Sequence, residues 1–195
     1  TKIIIRVLGI LLFVETAMFL LCALVSWFYE EKETLTFLQT AAINTAVGIV
    51  LILLSRGAER KLTKRDGSCI ASLSWVLFSA FGMLPFYLSG SVDSITNAFF
   101  ETMSGFTTTG ATIMDNIDSQ PHGILFWRSL TQWIGGLGIV CFAIAILPIF
   151  NEGNMQLFSA EATGVTHNKL HPKISIMVKW IWGVYLMLTT SVTLL

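Results

Sequence analysis

Residues 101–112 form a polar segment in a chain that is otherwise mostly apolar, and they read Glu-Thr-Met-Ser-Gly-Phe-Thr-Thr-Thr-Gly-Ala-Thr. Irregular backbone at membrane depth is tolerated only where protein buries it or where water and ions reach it, because each unsatisfied group costs several kcal/mol in hydrocarbon. Three consecutive β-branched threonines oppose continuation of a helix, and Gly110 permits a backbone angle that other residues resist. The pattern predicts an extended strand at Thr107–Thr109 whose carbonyl oxygens could replace the hydration shell of a potassium ion.

A short helix is predicted immediately before this segment, over Ser94–Gly105, with Asp93 as its N-cap. Twelve residues at 1.5 Å per residue span about 18 Å, which is too short for a hydrocarbon core of about 30 Å. We therefore expect a re-entrant half-helix that enters the membrane and stops partway. Its partially negative C-terminus would point into the membrane, where a cation is stabilised. An ordinary external loop with a short amphipathic helix is the alternative.

Two charged residues are candidates for supporting this segment. Glu101 lies in the predicted half-helix and Arg128 near the outer end of the next apolar span. Either charge would be unfavourable alone inside a membrane, so we predict that they pair, with snorkelling of Arg128 to the interface as the alternative. Glu15, midway along the first span, is either a functional intramembrane carboxylate or a neutral structural group.

The composition indicates an integral membrane protein. The 195 residues are 54% hydrophobic and only 12% charged, whereas soluble domains are about 25% charged. The formal net charge of zero says little about partners, and we expect membrane lipid and no nucleic acid. Cys22, Cys69 and Cys141 are far apart and are predicted to be free thiols. No metal site is predicted, and His171-Pro172 is expected to keep the polar connection around it from forming a regular helix.

The apolar stretches and basic clusters together predict a multi-pass topology. The loop at residues 56–66 carries five basic residues, so the positive-inside rule places it and the N-terminus in the cytoplasm. Residues 89–123 contain no lysine or arginine, which suits an external segment. The chain starts without methionine and stops in an apolar run, which suggests a piece of a longer protein. The predicted spans are Ile3–Phe28, Leu38–Leu54, Cys69–Leu88, Ile124–Pro148 and Ile174–Leu195.

Several motifs in order resemble one family, the bacterial TrkH/TrkG potassium-uptake proteins. Residues 97–112 resemble the first pore loop of that family, and residues 127–140, Trp-Arg-Ser-Leu-Thr-Gln-Trp-Ile-Gly-Gly-Leu-Gly-Ile-Val, resemble the helix that follows it. The first two spans resemble an N-terminal hairpin present in TrkH and lacking in the related KtrB. Further matching segments are Lys64–Gly67, Ala145–Pro148 and Met155–Phe158 with Glu161.

The resemblance implies an all-α polytopic membrane protein with four M1-P-M2 repeats, each a helix, a potassium-channel-like pore loop and a second helix, around one pore. Residues 1–66 would be the N-terminal two-helix hairpin with its basic cytoplasmic loop, and residues 67–150 the first pore repeat. Residues 151–173 would be a cytoplasmic connection, and residues 174–195 the truncated first helix of a second repeat. The fragment would supply one filter segment and should not conduct by itself.

The resemblance also assigns roles to individual residues. The filter positions carry over onto Thr108, Thr109 and Gly110, with the carbonyls of Thr108 and Thr109 as the first candidate potassium ligands. Thr107 and Ala111 are the secondary candidates. Potassium would be the transported ion, with no organic cofactor. A single filter glycine, in place of the double glycine of ordinary potassium channels, leaves the preference for potassium over sodium open.

The resemblance implies a pore-forming subunit that moves potassium across the bacterial inner membrane, either as a channel or coupled to protons or sodium as a symporter. It further implies a homodimer and a cytoplasmic nucleotide-binding regulator of the TrkA type, for which Asn151–Lys173 is the reachable surface. The alternatives are a non-conducting structural subunit and a membrane-embedded enzyme. Ser104 has no histidine near it in any predicted span, so no enzymatic activity is predicted.

Overall fold

The computed structural model describes residues 2–57, 64–114, 116–117, 119–138 and 171–194. Every regular element within these ranges is a helix. The chain divides into two compact units, Thr1–Gly135 and Gly136–Leu195. The helices are α1 (Lys2–Phe28), α2 (Glu33–Leu54), α3 (Lys64–Gly82), α4 (Leu84–Leu88), α5 (Ile95–Phe106), α6 (residues 122–138) and α7 (His171–Leu194).

Three helical stretches in the described residues are long and apolar enough to cross a membrane, and they correspond to the first three predicted spans. They are α1, α2 and the continuous stretch Asp66–Leu88 formed by α3 and α4. The N–H groups of Met83 and Tyr87 donate to Ser79 and Met83 carbonyls at 3.2 and 3.1 Å, so helical hydrogen bonding continues across the α3–α4 junction. Pro85 lies in the first turn of α4, where its missing N–H removes no hydrogen bond.

Two local predictions were wrong. The N-cap of α5 is Ser94, with extended backbone angles, and not Asp93, and Ser94 makes no side-chain capping hydrogen bond. Residues 171–173, predicted to lie in the non-helical polar connection, are helical, because α7 begins at His171 and holds Pro172 in its first turn, where proline is tolerated. α6 is helical over residues 122–138. The predicted remainder of that span, Cys141 and the connection at 151–173 lie outside the described residues, apart from the start of α7.

The first unit is centred on Trp127 of α6. The Trp127 ring lies 4.7 Å from the ring of Phe19 in α1, and its Nε1–H donates to the Gly82 carbonyl of α3 at 2.9 Å. Gly82 allows this close approach, since an added Cβ would come within 2.7 Å of Thr102 Cγ2 in α5. Helices α1, α3, α5 and α6 therefore meet around one buried aromatic ring, which fixes where the end of α5 lies.

The α1–α2 loop caps the N-terminus of α6. The Glu31 carboxylate accepts hydrogen bonds from the backbone N–H groups of His122 and Gly123 at 2.6 and 3.0 Å and lies 2.9 Å from His122 Nδ1. Tyr29 stacks on His122 with ring centroids 4.0 Å apart. A carboxylate is stabilised at this position because the first N–H groups of a helix lack internal partners and carry partial positive charge. Glu31 thereby joins the N-terminal hairpin to α6.

We expect the Glu31 cap to stabilise the full-length protein in a pH-dependent way. Burial alone would raise the pKa of Glu31, but hydrogen bonds from Gly123 and His122 outweigh it and lower the pKa. A lowered folded-state pKa means that the stabilisation is present above the usual glutamate pKa of about 4.3 and is lost as the pH falls through the folded value. Glu31→Gln should therefore lower the thermal unfolding midpoint at neutral pH, and the difference from wild type should disappear in acid.

The measurement is a series of thermal unfolding scans of the purified protein from neutral pH to below about pH 4. Glu30→Gln is the matched control, because Glu30 is the adjacent carboxylate and is exposed. If the unfolding midpoints of wild type and Glu31→Gln differ by the same amount at every pH, the ionised Glu31 carboxylate is not the cap of α6.

Candidate functional site

The backbone after α5 folds back onto the last turn of that helix. Thr107 N–H donates to the Met103 carbonyl at 2.9 Å, and Thr108 N–H donates to the Gly105 carbonyl at 2.9 Å. Thr109 N–H donates to the Ser104 carbonyl at 3.0 Å. These bonds satisfy carbonyls that the end of a helix otherwise leaves without partners. The donors of residues 107–109 are thus all directed toward α5.

The predicted extended strand is wrong at its first two residues. Thr107 has φ −80° and ψ 0°, and Thr108 has φ +56°, so both lie in a turn. The hydrogen bonds to α5 require this reversal, and they hold the β-branched Thr108 in a left-handed conformation that costs about 1–2 kcal/mol. Gly110, with φ +74°, adopts the same region without that penalty.

The carbonyl oxygens of Thr108, Thr109 and Gly110 are open acceptors in this segment. These residues are exposed, and within the described ranges no hydrogen-bond donor reaches their carbonyl oxygens. Ala111 differs, because its carbonyl accepts a hydrogen bond from Ser104 Oγ at 2.6 Å. The Thr107 hydroxyl donates to the Met103 carbonyl at 2.7 Å. The segment therefore presents backbone oxygen, the ligand type that hard cations prefer.

Glu101 and Arg128 are in contact, as their predicted pairing requires. Arg128 Nε lies 2.7 Å from Glu101 Oε1, with 1% of the glutamate side chain and 18% of the arginine side chain exposed. Glu101 also accepts from the Thr112 hydroxyl at 3.0 Å and from Ile113 N–H at 2.9 Å. One buried carboxylate consequently ties α5, α6 and the chain that follows Gly110.

Sequence reasoning missed Thr112 and Ile113 as partners of Glu101. Thr112 lies in the polar segment, but nothing in its spacing distinguishes it from the other threonines there, and the backbone N–H of Ile113 carries no signal in the sequence. Met114 N–H also donates to the Thr112 hydroxyl at 3.2 Å. The hydroxyl of Thr112 therefore donates to Glu101 and accepts from Met114 N–H. These two hydrogen bonds fix the position of the chain that follows Gly110.

Glycines let α6 lie directly against the end of α5. A Cβ added at Gly105 would overlap Thr131 Oγ1, and one added at Gly135 would overlap the backbone carbonyl of Phe106. Small residues permit such approaches between membrane helices. Gly105 and Gly135 therefore set how closely α5 and α6 approach each other.

Glu15 takes no part in the hydrogen bonds of this segment. Its side chain is buried, and Asn44 Nδ2 of α2 donates to Glu15 Oε2 at 3.3 Å. The same amide donates to the Leu12 carbonyl at 3.0 Å, so Glu15 and Asn44 link α1 to α2 inside the hairpin.

In the described part of the chain no group of three or more His, Cys, Asp and Glu side chains could hold a metal ion. Asp93, in the loop before α5, is exposed, while Asp115 and Asp118 lie outside the described residues. The candidate site is accordingly made of backbone carbonyls, with one buried ion pair behind them.

Comparisons with known proteins agree with this picture. The TrkH family, described as cation transport protein, matches residues 33–194. The Trk system potassium uptake protein TrkH of Salmonella typhimurium is 40% identical over 191 residues, which cover 97% of this chain and 40% of that protein. The Trk system potassium uptake protein TrkG of Escherichia coli is 31% identical over 189 residues, which cover 96% of this chain and 39% of that protein.

Among solved structures, the crystal structure of the potassium transporter TrkH from Vibrio parahaemolyticus superimposes with a TM-score of 0.79 at 34% sequence identity. The alignment covers 97% of this chain and 38% of that one. The chain thus spans about two fifths of the length of the relatives that it matches.

Proposed function

Because this chain belongs to the TrkH family of cation transport proteins, we propose that it supplies one wall of a potassium pore in a bacterial potassium-uptake protein. The pore would lie in the inner membrane. The observation that carries the proposal is the run of three exposed residues, Thr108, Thr109 and Gly110, whose carbonyl oxygens accept a hydrogen bond from no donor in the described residues. Carbonyls of this kind can replace the hydration shell of a potassium ion without any side-chain charge.

The length of α5 supports a re-entrant arrangement. Its 12 residues extend about 18 Å, so α5 reaches into the membrane and does not cross it. Asp66–Leu88 before it is long enough to span, and α6 returns after it. These elements form the first M1-P-M2 repeat at residues 67–150, preceded by the α1–α2 hairpin and basic loop at 1–66. The helix at 174–195 opens the second repeat.

Each residue of the candidate site has a proposed role. The carbonyls of Thr108 and Thr109 are the first potassium ligands and that of Gly110 continues the set, with Thr107 and Ala111 flanking it. Glu101 and Arg128 support the filter from behind. The Glu101 carboxylate does so by holding Thr112 and Ile113, which fixes the chain on the far side of Gly110.

The orientation follows from the basic residues. With the loop at 56–66 and the N-terminus in the cytoplasm, the Glu31 cap and the entrance to the filter lie outside the cell. Exposed apolar side chains on α1 and α2, including Leu21, Leu24 and Val50, would contact lipid. The relatives are named as parts of a Trk system, and we propose a TrkA-type nucleotide-binding regulator bound through Asn151–Lys173, together with assembly as a homodimer.

The test is growth of a potassium-uptake-deficient bacterium on low potassium with the full-length gene, comparing wild type with Gly110→Ser. Wild type should restore growth. A serine at φ +74° carries about 1–2 kcal/mol of strain, so we expect Gly110→Ser to require roughly tenfold more potassium for equal growth.

Gly90→Ser is the matched control. Gly90 also has φ +74°, and a Cβ at either glycine would meet nothing within 4 Å, so both variants introduce the same backbone strain. Growth of Gly110→Ser equal to that of Gly90→Ser would reject the filter assignment. Failure of wild type to restore growth would instead favour a non-conducting structural subunit.

A further inference from the structure

Ser104 contacts both sides of the bend at residues 107–111. Its carbonyl accepts the N–H groups of Thr109 and Gly110 at 3.0 and 3.4 Å. Its hydroxyl donates to the Ala111 carbonyl at 2.6 Å, and the residue is 5% exposed. A single buried serine in the last turn of α5 therefore holds three consecutive residues of the segment.

The direction of the Ser104 hydroxyl is unusual for a helix. Serine and threonine side chains in helices commonly donate to a carbonyl three or four residues earlier, as Thr102 does to Ala98 at 2.8 Å and Thr107 does to Met103 at 2.7 Å. Ser104 instead donates forward, to a residue seven positions later and outside the helix. Ordinary helical bonding does not account for this contact.

The contact has a direct consequence for the carbonyls. The carbonyl dipole of Ala111 is held toward a buried donor in α5, whereas the carbonyls of Thr108, Thr109 and Gly110 accept from no donor in the described residues. A serine hydroxyl has one proton to donate, and here Ala111 receives it. The hydrogen bond from the Ser104 hydroxyl thus makes the Ala111 carbonyl different from the three open carbonyls before it.

We propose that Ser104 is a positioning residue for ion selectivity, whose hydroxyl turns the Ala111 carbonyl away from the ion path and limits the ligand set to the carbonyls before it. This inference rests on the proposed potassium function and narrows it. The number of coordinating carbonyls and the rigidity of the filter are the properties that have been argued to separate potassium from sodium. Loss of the hydroxyl frees the Ala111 peptide group to rotate, which changes both properties.

The experiment uses full-length protein reconstituted in lipid vesicles, with potassium and sodium uptake measured separately. Ser104→Ala should lower the ratio of potassium to sodium uptake by roughly threefold to tenfold, the change expected for loss of one hydrogen bond. Ser104→Thr keeps the hydroxyl and should retain the wild-type ratio. Ser79→Ala is the matched control, because it also removes a buried serine hydroxyl near α5, one that donates to Met103 Sδ at 3.1 Å.

The outcomes are distinguishable. An unchanged ratio in Ser104→Ala overturns the inference, as does an equal shift in Ser79→Ala or in Ser104→Thr. If Ser104→Ala does not reach the membrane, Ser104→Cys, with similar size and a weaker donor, should shift the ratio in the same direction, and no shift there also overturns it. Absence of potassium uptake by the wild type rejects the proposed function itself.

Discussion

Glu101→Gln is expected to abolish potassium uptake by the full-length protein. The Glu101 carboxylate is buried, and it accepts from Arg128, Thr112 and Ile113 together. Removing one partner of a buried ion pair costs about 3–5 kcal/mol, because the remaining charge is left uncompensated. Here the loss also removes contacts that hold the chain after Gly110, so the proposed filter should lose its geometry as well as its stability.

Potassium-dependent growth and the thermal unfolding midpoint of the purified protein would both be measured. Asp93→Asn is the control, since Asp93 is an exposed carboxylate in the loop before α5. A Glu101→Gln variant that grows like Asp93→Asn on low potassium would show that the carboxylate is dispensable.

A double variant separates stability from filter geometry. Adding Arg128→Gln removes the orphaned charge, so the combined destabilisation should be smaller than the sum of the two single effects. Uptake should remain lost, because a glutamine side chain offers one acceptor oxygen where the carboxylate offers two to Thr112 and Ile113. Charge reversal of the pair should likewise fail to restore uptake, since an arginine at position 101 has no acceptor for Ile113 N–H.

Gly135→Ala should prevent α6 from packing against the end of α5. The added Cβ would overlap the backbone carbonyl of Phe106, and backbone cannot move aside as a side chain can. Alanine gains about 1 kcal/mol in helix propensity over glycine, but overpacking a tight contact costs about 1–3 kcal/mol and sometimes more. The clash should therefore dominate and displace Phe106, the residue directly before Thr107.

Membrane abundance, the thermal unfolding midpoint and potassium uptake are the measurements for Gly135→Ala, and all three should fall. Gly67→Ala is the matched control, because Gly67 is also helical and a Cβ there meets nothing within 4 Å. That variant should be as stable as wild type or slightly more stable. A Gly135→Ala protein with the stability and uptake of Gly67→Ala would argue against the close packing.

Local sequence predicted the extent of the short helix α5 well and the conformation of the segment after it poorly. The length of α5 follows from a short apolar pattern that starts after Asp93 and stops before three threonines, and α5 ends at Phe106, one residue beyond the prediction. The conformation of Thr107 and Thr108 does not follow from β-propensity, since their N–H groups bond to Met103 and Gly105. Those bonds overrode the preference of β-branched residues for extended backbone.

The pairing of Glu101 with Arg128 could be predicted because a charge in a mostly apolar sequence needs a partner of opposite sign. The other two partners of Glu101 could not, since one is a backbone N–H and the other a threonine among several. The Glu31 cap was missed for the same reason. It joins residues 91 and 92 positions apart, and such a separation has no periodic signature.

The sequence by itself determined the helical membrane class, the first three helical stretches long and apolar enough to cross a membrane, the position of the short helix α5, and the family. These properties depend on composition, on the length of apolar runs and on short motifs, all of which are local. Only the tertiary structure decided which carbonyls in the segment after α5 lack a hydrogen-bond donor and which carbonyl accepts from the Ser104 hydroxyl. It also decided which groups donate to the Glu101 carboxylate. Hydrogen bonds form over about 3 Å, so their partners are set by how α5 and α6 pack around Trp127 and Gly135.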